Sequence, residues 1–218
     1  MALHLHRDLE KLKKEILLLG SMVEEATEKA VLALRDRRTD LAEEVKAGDK
    51  EVDDLEIQVE EECLKVLALH QPVANDLRFV VAVMKVNNDL ERVGDLAGNI
   101  AGRVLDLNGH DPVATPDEIL KMAGRVPSMM RRCLDSLVKL DTAMARQVLE
   151  DDEDIDAIHK TVYGVLEARM VEHPERMNDW IQLLSISRYL ERIADLATNI
   201  SEDVIFLVDG EVVRHRAW

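Results

Sequence analysis

A stretch of eleven residues occurs twice in this chain of 218 residues, with a spacing of 100 positions. Residues 90–100 and 190–200 hold the same residue at eight of the eleven positions, and Val93 is exchanged for Ile193. A shorter pair of matching segments lies upstream, at 49–53 and 152–156. Matched segments in matched order indicate an internal duplication. The fold must therefore be assembled from two similar halves.

Each half has the pattern of three amphipathic helices, with apolar residues at spacings of three and four. Helix-forming residues dominate, and nine Gly and five Pro leave few turns for a sheet. We predict an all-α fold of two tandem three-helix bundles, residues 1–109 and 110–218, separated at the helix-breaking segment 108–112. The predicted helices end near Arg38, Leu69, Leu107, Val171 and Asp209. Thr39 or Asp40 is predicted to cap the second helix. Pro72 is predicted to lie at or near the start of the third helix, and Pro116 and Pro174 to open the fourth and sixth.

The charge of the chain excludes one class of partner. There are 44 acidic and 28 basic residues, a net charge of −16, whereas nucleic-acid binding requires a basic surface. Cys63 and Cys133 lie far apart, without the spacing of metal ligands. Residues 1–9 lack the apolar core of a signal peptide. No apolar run approaches the roughly 18 residues that a membrane span needs. We expect a cytoplasmic protein with free thiols and no membrane span.

Carboxylates recur at helical spacing in both halves. Glu91 and Asp95 lie four residues apart on one face of the third helix, and Asp49 and Asp53 do so on the second. If these helices are neighbours, the two pairs converge, and their repulsion calls for raised pKa values or a bound cation. Oxygen ligands suit hard cations such as iron, manganese, magnesium or calcium. The second half repeats the set with Asp152, Asp156, Glu191 and Asp195.

Two further features bear on the acidic face. Gly94, Gly98 and Gly102 lie beside it, and because a helical glycine costs about 1 kcal/mol relative to Ala, we expect another helix, subunit or ligand to pack closely there. Asp156 and His159 form a DxxH step, which is either a metal corner or an acid beside a surface histidine. The ExxH step of ferritin-like di-iron proteins occurs nowhere in the sequence.

The two copies of the motif resemble the paired signatures of the PhoU family. The first runs Leu-Glu-Arg-Val-Gly-Asp over residues 90–95, and the second runs Tyr-Leu-Glu-Arg-Ile-Ala-Asp over residues 189–195. The segment 72–78 resembles the start of that family's third helix, and 204–210 resembles its C-terminal end. The resemblance covers essentially the whole chain.

This resemblance implies two three-helix bundles that regulate bacterial phosphate uptake from the cytoplasm. It implies action with the phosphate ABC transporter and a phosphate-sensing histidine kinase, with repression of the starvation response when phosphate is plentiful. It also implies an iron or zinc cluster on the bundle surface, held by E(D)xxxD motifs. In this sequence those motifs fall on Asp49, Asp53, Glu91, Asp95, Asp152, Asp156, Glu191 and Asp195. A homodimer is also expected.

The sequence departs from the family pattern at one position. The usual second copy reads Gly-Asp-His, whereas this chain has Ala194, Asp195 and Leu196. We therefore expect the first-half metal site to be the better one.

Two alternatives to this regulatory function stay open. The first is an enzyme with a carboxylate-bridged metal centre, and the second is a metal-free helical scaffold. For a regulator, Arg125, Arg131, Arg132 and the basic tail 214–218 are candidate anchors for a partner.

Overall fold

The computed structural model describes residues 2–213, and these residues form long α-helices without a β-strand. The prediction of an all-α fold is confirmed. The helices are α1 (Ala2–Asp36), α2 (Thr39–His70), α3 (Ala74–Asn108), α4 (Asp117–Lys139), α5 (Thr142–Glu172) and α6 (Met177–Asp209), and a 3₁₀ turn, Pro174–Arg176, precedes α6.

Two predicted helix starts are corrected by the structure. Arg38 holds the N-cap position of α2 without a side-chain cap, and Asp40 pairs with Arg38 at 2.5 Å instead of capping. Pro174 opens the 3₁₀ turn, and α6 itself begins at Met177. Proline suits the tighter first turn because it has no N–H to satisfy.

Each half folds as a three-helix bundle around its predicted apolar stripe. α1, α2 and α3 pack against one another, as do α4, α5 and α6. The two copies of the motif place equivalent residues in the core, where Leu90, Ile100, Leu190 and Ile200 are fully buried. The sequence duplication therefore places equivalent residues at equivalent core positions of the two bundles. None of the helices within residues 2–213 carries an apolar stretch long enough to cross a membrane.

The two bundles pack side by side through α3 and α6, and through α1 and α4. Lys85 of α3 lies 3.1 Å from Asp203 of α6, and Arg103 donates to Gln182 at 3.1 Å. Early residues of α3 therefore meet late residues of α6, so these helices run antiparallel. At the second contact, Arg131 of α4 pairs with Glu24 of α1 at 2.7 Å.

The glycine face of α3 is approached closely at one end only. A Cβ atom at Gly94 would lie 3.1 Å from Val52 of α2, whereas one at Gly98 would lie 3.6 Å from Asp49. A Cβ atom at Gly102 would have no neighbour within 4 Å. The expected close approach is confirmed for Gly94, where the neighbour is α2. No other helix of the described residues approaches Gly102, and approach by a subunit or a ligand there stays a prediction.

We expect Gly102→Ala to stabilise the protein by about 0.5–1 kcal/mol, since alanine restricts the unfolded chain and the site has open space. Gly94→Ala is the matched comparison in the same helix. It should gain less, because its methyl group presses on Val52. Urea unfolding of both variants measures the difference, and equal gains would contradict the packing described for Gly94.

Candidate metal centres

The predicted carboxylate pairs lie along two helix seams. α2 runs beside α3 in the first bundle, and α5 runs beside α6 in the second. Because residues four apart share a helix face, each seam brings one pair from each helix to the same edge. In the first bundle this is seen at Asp49, whose Oδ1 faces the backbone of α3 at Gly98.

The second bundle holds the tighter group. Ligand oxygens of Asp156, Glu191 and Asp195 all lie within 4.8 Å of one another. Asp152 adds a fourth carboxyl group, and its Oδ1 atom is buried and has no hydrogen-bond partner among the described residues. A buried oxygen without a donor is costly. A cation would satisfy it.

Burial and mutual repulsion raise the pKa of three acids in this group, Asp152, Glu191 and Asp195. Burial, reinforced by Asp195 and Asp156, raises the pKa of Asp152 to about 7. Burial and then Asp156 raise the pKa of Glu191, against the opposing charges of Arg188 and Arg192. The pKa of Asp195 is also raised, by burial and then by Glu191. The group therefore resists carrying its full negative charge unless positive charge is supplied.

The first bundle holds a looser version of the same arrangement. Asp49, Asp53, Glu91 and Asp95 do not form a group of three within 4.8 Å over the described part of the chain. Burial nevertheless raises the pKa of Asp49, with Asp53 and Asp95 adding to the shift. Burial, with Asp95 and Glu56 adding, raises the pKa of Glu91. The geometry thus favours the second bundle, the reverse of the order expected from the sequence.

Each seam contains one further polar pair that the motif spacing does not pick out. In the first bundle, Asn87 donates to Glu56 Oε1 at 2.8 Å. In the second bundle, His159 Nδ1 lies 2.7 Å from Ser187 Oγ. Glu56 and His159 occupy equivalent places in the repeat, and applying the offset of 103 residues along the second and fifth helices would have found them. His159 is half-buried, and its two alternatives, a metal corner or a histidine at the surface, both stay predictions.

These donors fit a metal ion. Carboxylate oxygens of both seams suit hard cations such as iron, manganese, magnesium or calcium, and the unpartnered Asp152 Oδ1 marks a place where an oxygen lacks a positive partner. His159 adds a nitrogen beside the second group, which also suits zinc. At position 196, where the family pattern has histidine, Leu196 is buried with 4% exposure.

The arginines expected to anchor a partner are engaged within the chain. Arg125 pairs with Asp154 at 2.6 Å, Arg132 pairs with Asp151, and Arg131 bridges α4 to α1. Each guanidinium therefore has a carboxylate partner within the chain, but these ion pairs are exposed and weak, so contact of the three arginines with a partner stays a prediction. The tail 214–218 lies outside the described residues.

The two cysteines do not offer a reactive thiolate. Cys63 and Cys133 are free and buried. Burial raises the pKa of each thiol to about 12. A thiol with such a pKa is protonated at neutral pH and is a poor nucleophile.

We expect Asp152→Asn to raise the melting temperature of the metal-free protein at pH 8, and this gain to shrink as the pH falls towards 4. The pKa of Asp152 is raised to about 7 in the folded state from an ordinary value of 3.8. The folded state therefore binds the proton more tightly, and stability is lost as the pH rises between these values. Thermal unfolding of chelator-treated protein at stepped pH measures the difference.

Glu150→Gln, at an exposed acid of the same helix, is the control for removing any negative charge. Wild type and variant are compared with each other at the same pH. His159, whose pKa is lowered by burial, is present in both proteins, so its titration cancels in the difference. A gain from Asp152→Asn that is the same at pH 5 and pH 8 would mean that Asp152 has an ordinary pKa.

The sequence matches known proteins over both bundles. The family model described as the PhoU domain matches residues 16–104 and again 119–204. A phosphate-specific transport system accessory protein PhoU homolog from Aquifex aeolicus is 36% identical over 97% of this chain and 96% of its own length. The homolog from Pseudomonas aeruginosa is 35% identical over 95% of this chain and 86% of its own length.

Solved structures agree with the sequence matches. The crystal structure of PhoU from Pseudomonas aeruginosa has a TM-score of 0.91 at 33% identity, covering 94% of this chain and 99% of that one. The phosphate transport system regulatory protein PhoU from Streptococcus pneumoniae has a TM-score of 0.88 at 30% identity, covering 96% and 99%. The chain belongs to the PhoU family, with one PhoU domain in each bundle.

Proposed function

We propose that this protein is a non-enzymatic accessory regulator of phosphate uptake and of phosphate-starvation signalling. In this proposal it couples the phosphate ABC transporter to the sensor kinase and represses the starvation response when phosphate is plentiful. The observation that carries the proposal is the similarity, over both bundles, to phosphate-specific transport system accessory proteins. The buried thiols also argue against cysteine chemistry.

A protein of this kind acts by binding one state of a partner more tightly than another. Moving a partner from 1:99 to 99:1 requires about 5.5 kcal/mol of preference. An interface of standard size, roughly 1,600 Å² in total, supplies that preference when a few buried contacts carry it. The accessible surface of 11046 Å² has room for such an interface.

Metal binding is the second part of the proposal. We assign a metal ion or cluster, iron or zinc, to Asp152, Asp156, Glu191 and Asp195, and a weaker site to Asp49, Asp53, Glu91 and Asp95. The short oxygen separations at Asp156, Glu191 and Asp195 support the first assignment. The repeated seam geometry supports the second. Bound metal would supply the positive charge that these acids lack. A cytoplasmic homodimer completes the proposal.

Deletion of the gene should switch on phosphate-starvation promoters even in phosphate-rich medium, because the protein that represses them in this proposal is then absent. A promoter fused to a reporter in the deletion strain measures this. The control is complementation with the wild-type gene, which should restore repression. A deletion strain whose reporter stays silent at high phosphate would contradict the regulatory proposal.

Replacing both Glu191 and Asp195 with Ala should remove the metal bound by the second bundle, because two of its three closest oxygens are lost. The equivalent change at Glu91 and Asp95 should remove a smaller amount. Metal content is measured by mass spectrometry on protein purified without chelator. Glu150→Ala, at an exposed acid of α5, is the control and should keep the wild-type content. Wild-type protein without bound metal would contradict the proposal.

A further inference from the structure

A groove lies at one end of the contact between the two bundles. Its walls are the first half of α1, the start of α3 and the last turns of α4 and α6, so that both bundles contribute to it. Its volume is about 460 Å³, which is the size of a cavity that holds a small ligand or a large side chain. The apolar side chains that line it include Leu9, Ile16, Phe79, Leu140, Leu207 and Val208.

The chain leaves α6 at the rim of this groove. Gly210 ends the helix in the left-handed conformation, with a φ of 73°. A Cβ atom at Gly210 would collide with the guanidinium group of Arg78, which itself lines the groove. Three residues later, Val213 is only 1% exposed and belongs to the core. The segment after α6 therefore turns back onto the body of the protein and does not continue into solvent.

The tail 214–218 begins at this place and ends in a large apolar side chain. Its sequence is Arg-His-Arg-Ala-Trp. Five extended residues span about 17 Å, which exceeds the diameter of about 10–12 Å of a helix with its side chains. Trp218 is therefore within reach of the groove from α6 to its far wall on α1.

The polar side chains of the groove complement the tail. Glu10 and Asp76 line the groove and are exposed, and within residues 2–213 neither of them forms an ion pair. Arg214 and Arg216 of the tail carry the opposite charge. A buried tryptophan also needs an acceptor for its indole N–H, and the same carboxylates can provide one for Trp218.

A segment of the same chain has an advantage over a separate molecule as the occupant of the groove. A second molecule loses translational and rotational freedom when it binds. The tail has already lost this freedom because Gly210 and Val213 hold its start against the protein. Its effective concentration at the groove is therefore high, on the order of millimolar for a short flexible connection.

We propose that the tail 214–218 folds back into this groove, with Trp218 as its anchor, and thereby clasps the two bundles together at this end. The indole ring contacts apolar side chains of both bundles, so its burial stabilises their side-by-side packing. This inference concerns the joining of the bundles and requires neither the proposed regulatory function nor a bound metal.

The test incorporates 5-fluorotryptophan into the full chain, which has two tryptophans, and observes each by fluorine NMR. Trp218→Phe identifies the two signals. The signal of an exposed ring shifts when water is replaced by heavy water, whereas that of a buried ring does not. Trp180 is 3% exposed and donates to the carbonyl oxygen of His173 at 3.2 Å, so its signal reports on folding in every variant. Trp218 should show as small a solvent shift as Trp180.

A double change in the groove should release the tail. Leu140→Asn with Val208→Asn makes the wall polar, and the Trp218 signal should then gain the full solvent shift seen in the urea-unfolded chain. Leu140 has a φ of 53°, a conformation that asparagine tolerates. The matched control is Ile57→Asn with Leu64→Asn, which alters two similarly exposed side chains of α2 outside the groove. In this control Trp218 should stay protected.

The remaining outcomes overturn the clasp. A wild-type Trp218 signal with the full solvent shift means that the tail is free to meet a partner. Protection that is lost on dilution means that the tail occupies the groove of a second copy. Protection that survives the double change in the groove, with the Trp180 signal unaltered, means that Trp218 is buried elsewhere. If the double change alters the Trp180 signal, Leu140→Asn alone is used and is judged by the same criterion.

Discussion

The packing of α3 against α6 is the constraint on which the rest of the molecule depends. Each of these helices packs against the other helices of its own bundle and against its counterpart in the other bundle. Such a helix must present apolar or small residues over a wide arc, and Leu96, Ala97, Leu196 and Ala197 are buried accordingly. Apart from charged residues that bond across this contact, such as Lys85 with Asp203, the carboxylates of the repeated motif lie on the remaining edge of each helix. That edge lies along the seam with α2 or α5, where the carboxylates are found.

Confinement to the seams explains the unusual electrostatics of these acids. Surface carboxylates are normally hydrated and separated, but here apolar packing on both sides fixes several of them at short range. The effect is largest in the second bundle, where burial, followed by repulsion from Asp195 and Asp156, raises the pKa of Asp152 to about 7. The free energy stored in this repulsion is released by protons or by a cation. The fold therefore couples its own stability to whatever positive charge reaches the seam.

The two halves have kept their packing and changed their polar chemistry. Buried positions such as Leu90 and Leu190 are occupied by the same residue in both copies. At the seam, by contrast, Glu56 is replaced by His159 and Asn87 by Ser187. A core position tolerates little change because its volume is fixed by its neighbours. A polar position at an edge can be exchanged if its hydrogen bonds are satisfied in another way, as the contacts of His159 and Asn87 show.

The helical class, the duplication and the carboxylate spacing could be predicted before any coordinates were known, because helical periodicity and repetition are local properties of the chain. It also indicated the boundary between the halves and the pairing of acids four residues apart. Three findings needed the packed helices. Arg125, Arg131 and Arg132 pair within the chain. α2 approaches α3 at Gly94 and not at Gly102, and the carboxylates of the second seam lie closer together than those of the first. These outcomes depend on distances between residues far apart in sequence. Such distances follow from how whole helices pack, and no local pattern encodes them.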